Sequence, residues 1–194
     1  MLYRAFLILV VFVIAIGGGA ASLWLVLEKS PLGASLASGP WVAFPVAGTP
    51  QADPYSRARH IRTGGLALGP SEGITLTARE DSAGTPLRRA CTYTVKGTMP
   101  PSRFWTLYAA DAEGNLLPDL GARRPALHSQ MIVRDGENRI AITISPRPAP
   151  NNWLPVTGSG RMQIVLTLFD TSVAAASQLS ELVLPEITNV GCDA

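Results

Sequence analysis

The sequence predicts a mostly β protein: an antiparallel β-sandwich or jelly-roll-like domain with one or two short helices, preceded by a single N-terminal transmembrane helix. Three features of the 194 residues indicate this architecture. A long uncharged segment opens the chain, apolar residues recur at every second position from residue 72 onward, and turn residues separate the alternating segments. Many short strands joined by turns are typical of sandwiches and related all-β folds.

The first predicted element is a membrane anchor. Residues 5–27 carry no charged side chain and lie between Arg4 and Glu28. At about 1.5 Å per residue, a helix of this length spans about 35 Å, and the hydrocarbon core of a bilayer is about 30 Å thick. The alternative is a signal peptide cleaved after the small residues 18–20, which would release a secreted protein. We favour the anchor because the apolar run continues past those small residues.

The charges that flank this segment predict its orientation. Arg4 and the amino terminus lie before it, whereas Glu28 and Lys29 cancel each other after it. Positively charged flanks stay in the cytoplasm, so the C-terminal domain is expected in the periplasm of a bacterial inner membrane, held by a single span. The excess of 14 arginines over two lysines is typical of proteins from GC-rich bacterial genomes.

Composition divides the chain into three regions. Residues 1–30 hold the anchor with its short cytoplasmic N-terminus, 31–54 form a proline-rich linker, and 55–194 form the β-sandwich domain. Five prolines favour an extended linker, but the apolar residues within 41–46 predict a strand that lies on the domain. After residue 30, 14 basic minus 13 acidic residues give a net charge of +1. That charge is too small to indicate a nucleic-acid partner.

The next element is a short helix. Asp53 supplies a side-chain cap and Pro54 suits the first helical position. A second helix is predicted over residues 172–180. The first helix carries the most basic cluster of the sequence, which consists of Arg57, Arg59, His60 and Arg62. Basic side chains on a short helix usually form a solvated face, and the functional alternative is a site for an anionic lipid head group or an acidic glycan.

In four later segments, apolar and polar residues alternate with a period of two. This pattern indicates strands with one buried face. Turn sequences separate them at 81–84, 99–101, 111–114 and 135–138. The last turn lies between the apolar residues 131–133 and Ile140, which predicts a β-hairpin. The residues expected to face the core are Ile74, Leu76 and Ala78; Cys91, Tyr93 and Val95; Ile140, Ile142 and Ile144; and Met162, Ile164, Leu166 and Leu168.

The sequence contains no motif that defines a catalytic or cofactor site. There is no C-x-x-C, H-E-x-x-H or G-x-S-x-G, and the histidines His60 and His128 have no neighbouring ligand spacing. We therefore expect no cofactor and no metal site. A binding function is favoured over the alternative, an enzyme that acts on a small molecule at a site near His128 and Trp153.

Aromatic residues are the strongest candidates for a ligand site. Trp105 lies on the opposite face of its strand from Phe104 and Tyr108, because side chains alternate along a strand. Trp105 and Trp153 are expected to fill the core, and the functional alternative is an aromatic floor for a sugar or apolar ligand. The rim of such a floor would be formed by Arg103, His128 and Asn152.

Several motifs follow one another in the order found in a known family. They include residues 84–87 (Gly-Thr-Pro-Leu), 104–108 (Phe-Trp-Thr-Leu-Tyr) and 152–155 (Asn-Trp-Leu-Pro). Over residues 55–190 the chain resembles the domain of unknown function 1214, which usually follows the domain of unknown function 1254 in longer proteins. The resemblance implies a mostly antiparallel jelly-roll fold and supplies no catalytic residues. We expect a membrane anchor to take the place of the partner domain here.

Cys91 and Cys192 are the only cysteines. An oxidising periplasm permits a disulfide between them. The alternative is that Cys91 is a buried free thiol and Cys192 is unpaired. Together, these observations favour a membrane-anchored periplasmic β domain that binds an envelope protein, a lipid or a glycan.

Overall fold

The computed structural model describes residues 2–29, 36–45, 48–63, 67–171 and 182–192. The helix predicted at 172–180 lies outside the described residues. The elements are α1 (Leu2–Lys29), β1 (Leu36–Ser38), β2 (Trp41–Ala43), α2 (Pro54–Thr63), β3 (Gly73–Ala78), β4 (Cys91–Gly97), β5 (Phe104–Asp111), β6 (Ala126–His128), β7 (Ile140–Ser145), β8 (Asn152–Pro155), β9 (Met162–Phe169) and β10 (Glu186–Cys192).

Helix α1 is apolar around its whole circumference. Its segment Tyr3–Leu25 has a mean hydropathy of 2.6, and none of it is buried against the rest of the protein. By length and composition it can cross a bilayer, although a signal sequence near an N-terminus has the same properties. A helix with no polar face has no stable place in water unless another apolar phase covers it.

The ten strands form two sheets, as predicted for a sandwich. Six strands follow the order β1-β2-β3-β9-β5-β6, and four follow the order β10-β4-β7-β8. The pairing is antiparallel except between β7 and β8, which are parallel. The connection over 146–151 contains three prolines, which hold it extended so that it returns beside β7 instead of forming a tight hairpin.

The alternation predicted for the four segments is confirmed. The residues expected to face the core are all buried and lie in one cluster between the sheets. The largest buried side chains include Trp41, Tyr93 and Trp105. Residues 36–43, within the proline-rich stretch, form β1 and β2 of the six-stranded sheet. There the indole Nε1 of Trp41 donates to the Pro185 carbonyl at 2.8 Å and ties this edge to the chain before β10.

Three loops share one hydrogen-bonding arrangement. In each, an aspartate Oδ1 accepts the backbone N–H groups two and four residues later, as in Asx turns. In each loop the residue three positions after the aspartate has a positive φ, which explains glycine at 84 and 114 and asparagine at 138. The side-chain hydrogen bond from Asn115 lowers the pKa of Asp111 most, and the backbone hydrogen bond from Arg139 lowers that of Asp135 most. The three acceptors are Asp81, Asp111 and Asp135.

The hairpin predicted around 135–138 is only partly present. The turn forms, and Arg134 bridges Ile140, but the strand prediction for 131–133 is wrong. The Asn152 side chain occupies both backbone groups of Val133: its Oδ1 accepts the N–H at 2.8 Å and its Nδ2 donates to the carbonyl at 2.7 Å. A side-chain amide thus replaces the strand partner that these groups would otherwise need.

Asp81 provides a test of these loops because it is only 4% exposed. Asp81→Ala is expected to lower the free energy of unfolding by about 1–3 kcal/mol, since it leaves the N–H groups of Ala83 and Thr85 without their acceptor. Urea denaturation measures the change. The exposed Asp119 provides the control, and Asp119→Ala should change stability by less than about 0.5 kcal/mol. Equal effects of the two variants would contradict this role of Asp81.

The structure joins Cys91 to Cys192 by a disulfide, with 1.99 Å between the sulfur atoms. The two residues face each other across β4 and β10. In the chain-entropy model, closing a loop of about 100 residues stabilises the fold by about 4.7 kcal/mol, and measured values are commonly 2–5 kcal/mol. The bond therefore holds the last described strand onto the four-stranded sheet.

Thiol labelling of the unreduced, denatured protein should find no free cysteine. A reductant should lower the free energy of unfolding by about 2–5 kcal/mol, because it frees the loop in the unfolded chain. The same reductant should have no effect on a variant with both Cys91→Ala and Cys192→Ala. Two reactive thiols in the unreduced protein would contradict the bond.

Candidate functional site

The outer face of the six-stranded sheet carries a group of aromatic residues that do not enter the core. The alternation that buries Trp105 in β5 turns Phe104 and Thr106 outward. In register, Phe104 lies opposite Phe169 of β9, and Thr106 lies opposite His128 of β6. Three strands that are distant in sequence therefore bring their aromatic rings to one end of the same face.

We call Phe104, His128 and Phe169 the aromatic platform. The ring centroids of Phe104 and His128 are 5.6 Å apart, and those of Phe104 and Phe169 are 6.0 Å apart. The ring planes are tilted by 34° and 40°, an arrangement that aromatic pairs favour over direct stacking. All three residues are half-buried, so each ring combines a packed side with remaining accessible surface.

One ring nitrogen of His128 is shielded from solvent. Its Nδ1 is buried and has no hydrogen-bond partner among the described residues. An unpaired buried nitrogen of this kind costs about 1–3 kcal/mol. A catalytic base is normally oriented by a second side chain, and no such side chain bonds this nitrogen in the described part of the protein.

The rest of the outer face mixes hydroxyl and apolar groups. Thr75 and Thr167 lie side by side with 3.3 Å between their hydroxyl oxygens. Burial raises the pKa of Tyr108, which lies two residues beyond Thr106 on the same face. Arg103, at the start of β5, has 83% of its side chain exposed and lies 3.8 Å from an Asp170 oxygen. An exposed pair of this kind is worth at most about 1 kcal/mol, so Arg103 can turn to a ligand at little cost.

The two tryptophans do not form a common floor. Trp105 is 2% exposed and belongs to the core between the sheets. Trp153 is 8% exposed and lies outside that core cluster, on β8 of the other sheet. Its Nε1 donates to Ser145 at 3.1 Å, and the Arg123 guanidinium lies 5.9 Å from its ring centroid. Trp153 is therefore packed in place with no open ring face.

The remaining predicted rim residue, Asn152, is also structural. It is 6% exposed, and its amide bonds Val133 and the carbonyl of Ala141. Of the predicted floor and rim residues, Arg103 and His128 lie near the same end of the six-stranded sheet, Arg103 just before β5 and His128 at the end of β6. The platform phenylalanines were not predicted as site residues. Their alternation indicates the outer face, but only the register places Phe104 beside Phe169.

The basic cluster lies on helix α2, as its sequence suggested. The Asp53 Oδ1 accepts the Ser56 N–H at 3.0 Å and caps the helix. Arg57 is exposed and donates to the Pro50 carbonyl. The backbone of α2 also carries Arg59, His60 and Arg62; their role in binding an anion stays a prediction.

Two shallow clefts lie on the outside of the four-stranded sheet. One, of about 340 Å³, is lined by Thr92, Thr143 and Arg147 among others. The other, of about 230 Å³, lies beside Lys96 and the loop at Asp135. Within the described ranges no group of three or more histidine, cysteine, aspartate and glutamate side chains is arranged to hold a metal ion.

These features define a two-sheet β domain that follows one apolar helix. More particularly, the chain belongs to the family described as "Protein of unknown function (DUF1214)", whose profile matches residues 72–173. The resemblance found in the motifs is thereby confirmed. No curated protein matches the sequence.

Solved structures similar to this chain include one from Vibrio parahaemolyticus and one from Burkholderia cenocepacia. The VPA0106 protein from Vibrio parahaemolyticus has 20% sequence identity and a TM-score of 0.58, over 72% of this chain and 36% of its own. An uncharacterized protein from Burkholderia cenocepacia has 13% identity and a TM-score of 0.44, over 92% of this chain and 51% of its own. The chain thus spans about a third of the first protein and half of the second. The first likeness shows the fold alone.

Proposed function

We propose that this protein is a membrane-anchored periplasmic binding module whose aromatic platform holds a glycan of the bacterial cell envelope. Sugar rings present apolar faces that pack on aromatic rings, and hydroxyls that bond nearby polar groups. The platform offers both kinds of contact. Three rings lie together, with Thr106 level with His128 and the exposed Arg103 at the start of β5.

The observation that carries this proposal is the position of the platform. Rings that fill the core lie between the sheets, as Trp105 does. Phe104, His128 and Phe169 instead lie on the outer face, and Arg103 extends at its end with most of its side chain exposed. Clustered aromatic side chains on an outer surface, with a polar rim, mark an interaction site.

Two further features support the location. The disulfide between Cys91 and Cys192 belongs to an oxidising compartment such as the periplasm. Helix α1 has the length and apolarity of a membrane span, and Arg4 precedes it on the side that the positive-inside rule assigns to the cytoplasm. The short connection from Lys29 to Leu36 would keep the domain within about 25 Å of the bilayer surface.

Loss of the platform should abolish glycan binding without unfolding the domain. With the detergent-solubilised full chain and soluble fragments of envelope glycans, Phe104→Ala and His128→Ala should each weaken binding at least tenfold, as central aromatic contacts do. Calorimetric titration measures the affinity. Val190→Ala provides the matched control, because Val190 is a 65% exposed apolar residue on the other sheet.

Equal binding by Phe104→Ala and the parent protein would contradict the platform as the glycan site. Binding of lipid vesicles or of an envelope protein, lost in the same variants, would replace the glycan with that partner.

The topology is tested by a reporter enzyme that is active only in the periplasm, fused after Ala194. We expect it to be active, and the full chain to stay in the membrane fraction at high salt, since an apolar span is not released by screening charges. A domain found in the soluble fraction and lacking residues 1–20 would indicate a cleaved signal peptide instead of an anchor.

A further inference from the structure

Two arginines lie directly opposite each other where the chain approaches β9. Arg88, in the segment before β4, bridges Arg161, the residue before β9. The flanking hydrogen bonds run from the Arg89 N–H to the Gly160 carbonyl and from the Met162 N–H to the Leu87 carbonyl, both at 3.0 Å. This pattern defines a non-hydrogen-bonded antiparallel pair, the type that brings opposing side chains closest.

Like charges at such a pair destabilise the fold, and no carboxylate relieves this one. Arg88 and Arg161 are both exposed, and neither forms an ion pair with any described residue. Glu80 lies opposite Pro86, two residues before Arg88, without forming an ion pair. The two arginines therefore face the same side of this strand pair with no ion-pair partner among the described residues.

A third arginine completes the cluster. The Arg89 Nε donates to the Arg161 carbonyl at 3.3 Å, which lays this side chain over the turn at 158–160. A Cβ at Gly158 would lie 3.1 Å from the Arg89 Nη1, so glycine leaves room for the guanidinium. We call Arg88, Arg89 and Arg161 the arginine cluster.

The backbone beneath the cluster is fixed by buried groups. The Arg88 N–H donates to the Tyr93 hydroxyl at 2.9 Å, and Tyr93 is 1% exposed. Leu87, one residue earlier, is fully buried and donates its N–H to the Arg79 carbonyl at 2.9 Å. Burial raises the pKa of Tyr93, so its phenol stays neutral and keeps this position. The backbone that carries Arg88 is thus held in place by buried groups.

The cluster is separate from the aromatic platform. Arg161 and Phe169 stand at opposite ends of β9, eight residues apart, which corresponds to about 26 Å along a strand. The register shows the direction of strand β1. Its last residue, Ser38, pairs with Trp41, and Trp41 pairs with Ala78. Ala78 in turn pairs with Ile164, near the end of β9 that carries the cluster, so β1 runs towards that end. The chain therefore enters the sheet from the side of the platform.

We infer that the arginine cluster is a binding site for the phosphate group of a small soluble molecule. Guanidinium groups bind phosphate oxygens in pairs of parallel hydrogen bonds, and a doubly charged anion neutralises two facing cations at once. Bound phosphate would remove the repulsion between Arg88 and Arg161. Its negative charge would balance the positive charge of the two arginines, which have no ion-pair partner among the described residues.

Pyrophosphate is the probe for this site. The detergent-solubilised full chain should bind it, and Arg88→Gln and Arg161→Gln should each weaken binding at least tenfold, as expected for loss of a charge-assisted contact. Arg161→Lys keeps the charge but not the paired donors, and should give an intermediate loss. Arg134→Gln is the control, because the side chain of Arg134 is exposed and donates to Asn138 at a separate loop.

A stability measurement separates binding from a structural role. Without pyrophosphate, Arg161→Gln should unfold at the same temperature as the parent protein or higher, because the substitution relieves like-charge repulsion. Pyrophosphate should raise the unfolding temperature of the parent protein and of Arg134→Gln, but not of Arg161→Gln. Binding to phosphatidylglycerol vesicles, lost in the same variants, would assign the phosphate group to a lipid head group.

No binding of pyrophosphate or of these vesicles, or an equal loss in Arg134→Gln, would overturn the site. A lower unfolding temperature of Arg161→Gln in the absence of pyrophosphate would overturn it as well. All of these measurements are independent of the glycan titrations, so either site can fail without the other.

Discussion

The structure depends on β9, which pairs with β5 along its whole length and with β3 from Ile164 to Phe169. This strand is buried from Met162 to Leu168, because it has a hydrogen-bonded neighbour on each side. Its inward residues lie in the core between the sheets. Its register with β3 and β5 fixes which residues of these strands lie side by side on the outer face. A slip of one residue would exchange the two faces, so the same register that fills the core also positions the platform and the arginine cluster.

The edges of the sandwich are closed by side chains as much as by strands. Trp41 fastens the β1–β2 edge to the chain before β10 through its indole N–H. Asn152 binds the backbone at Val133 where a further strand could have paired. The side chains of Trp41 and Asn152 thus occupy backbone groups that would otherwise be open to pairing with another chain. Each does so with a single buried polar group.

Local features of the sequence predicted most of the fold. The alternation of β3, β4, β7 and β9 needs only the period of two. The turns at Asp81, Asp111 and Asp135 need only hydrogen bonds within five residues. The site needs register, which joins residues far apart in the chain. Phe104 meets Phe169, and Arg88 meets Arg161, through pairings that no local pattern contains. Trp105 and Trp153 attracted attention by size, yet packing explains both.

The disulfide gives the domain a mechanical property. A pull between the N-terminal helix and the C-terminus would pass from β1 through β3 to Cys91, and then across the covalent bond to Cys192. Residues 92–191, which include Phe104, His128 and Phe169, lie inside the loop that this bond closes, so the pull cannot extend them while the disulfide is intact. Only the segment before Cys91 can be drawn out, and β3 can leave only by breaking its hydrogen bonds with β9.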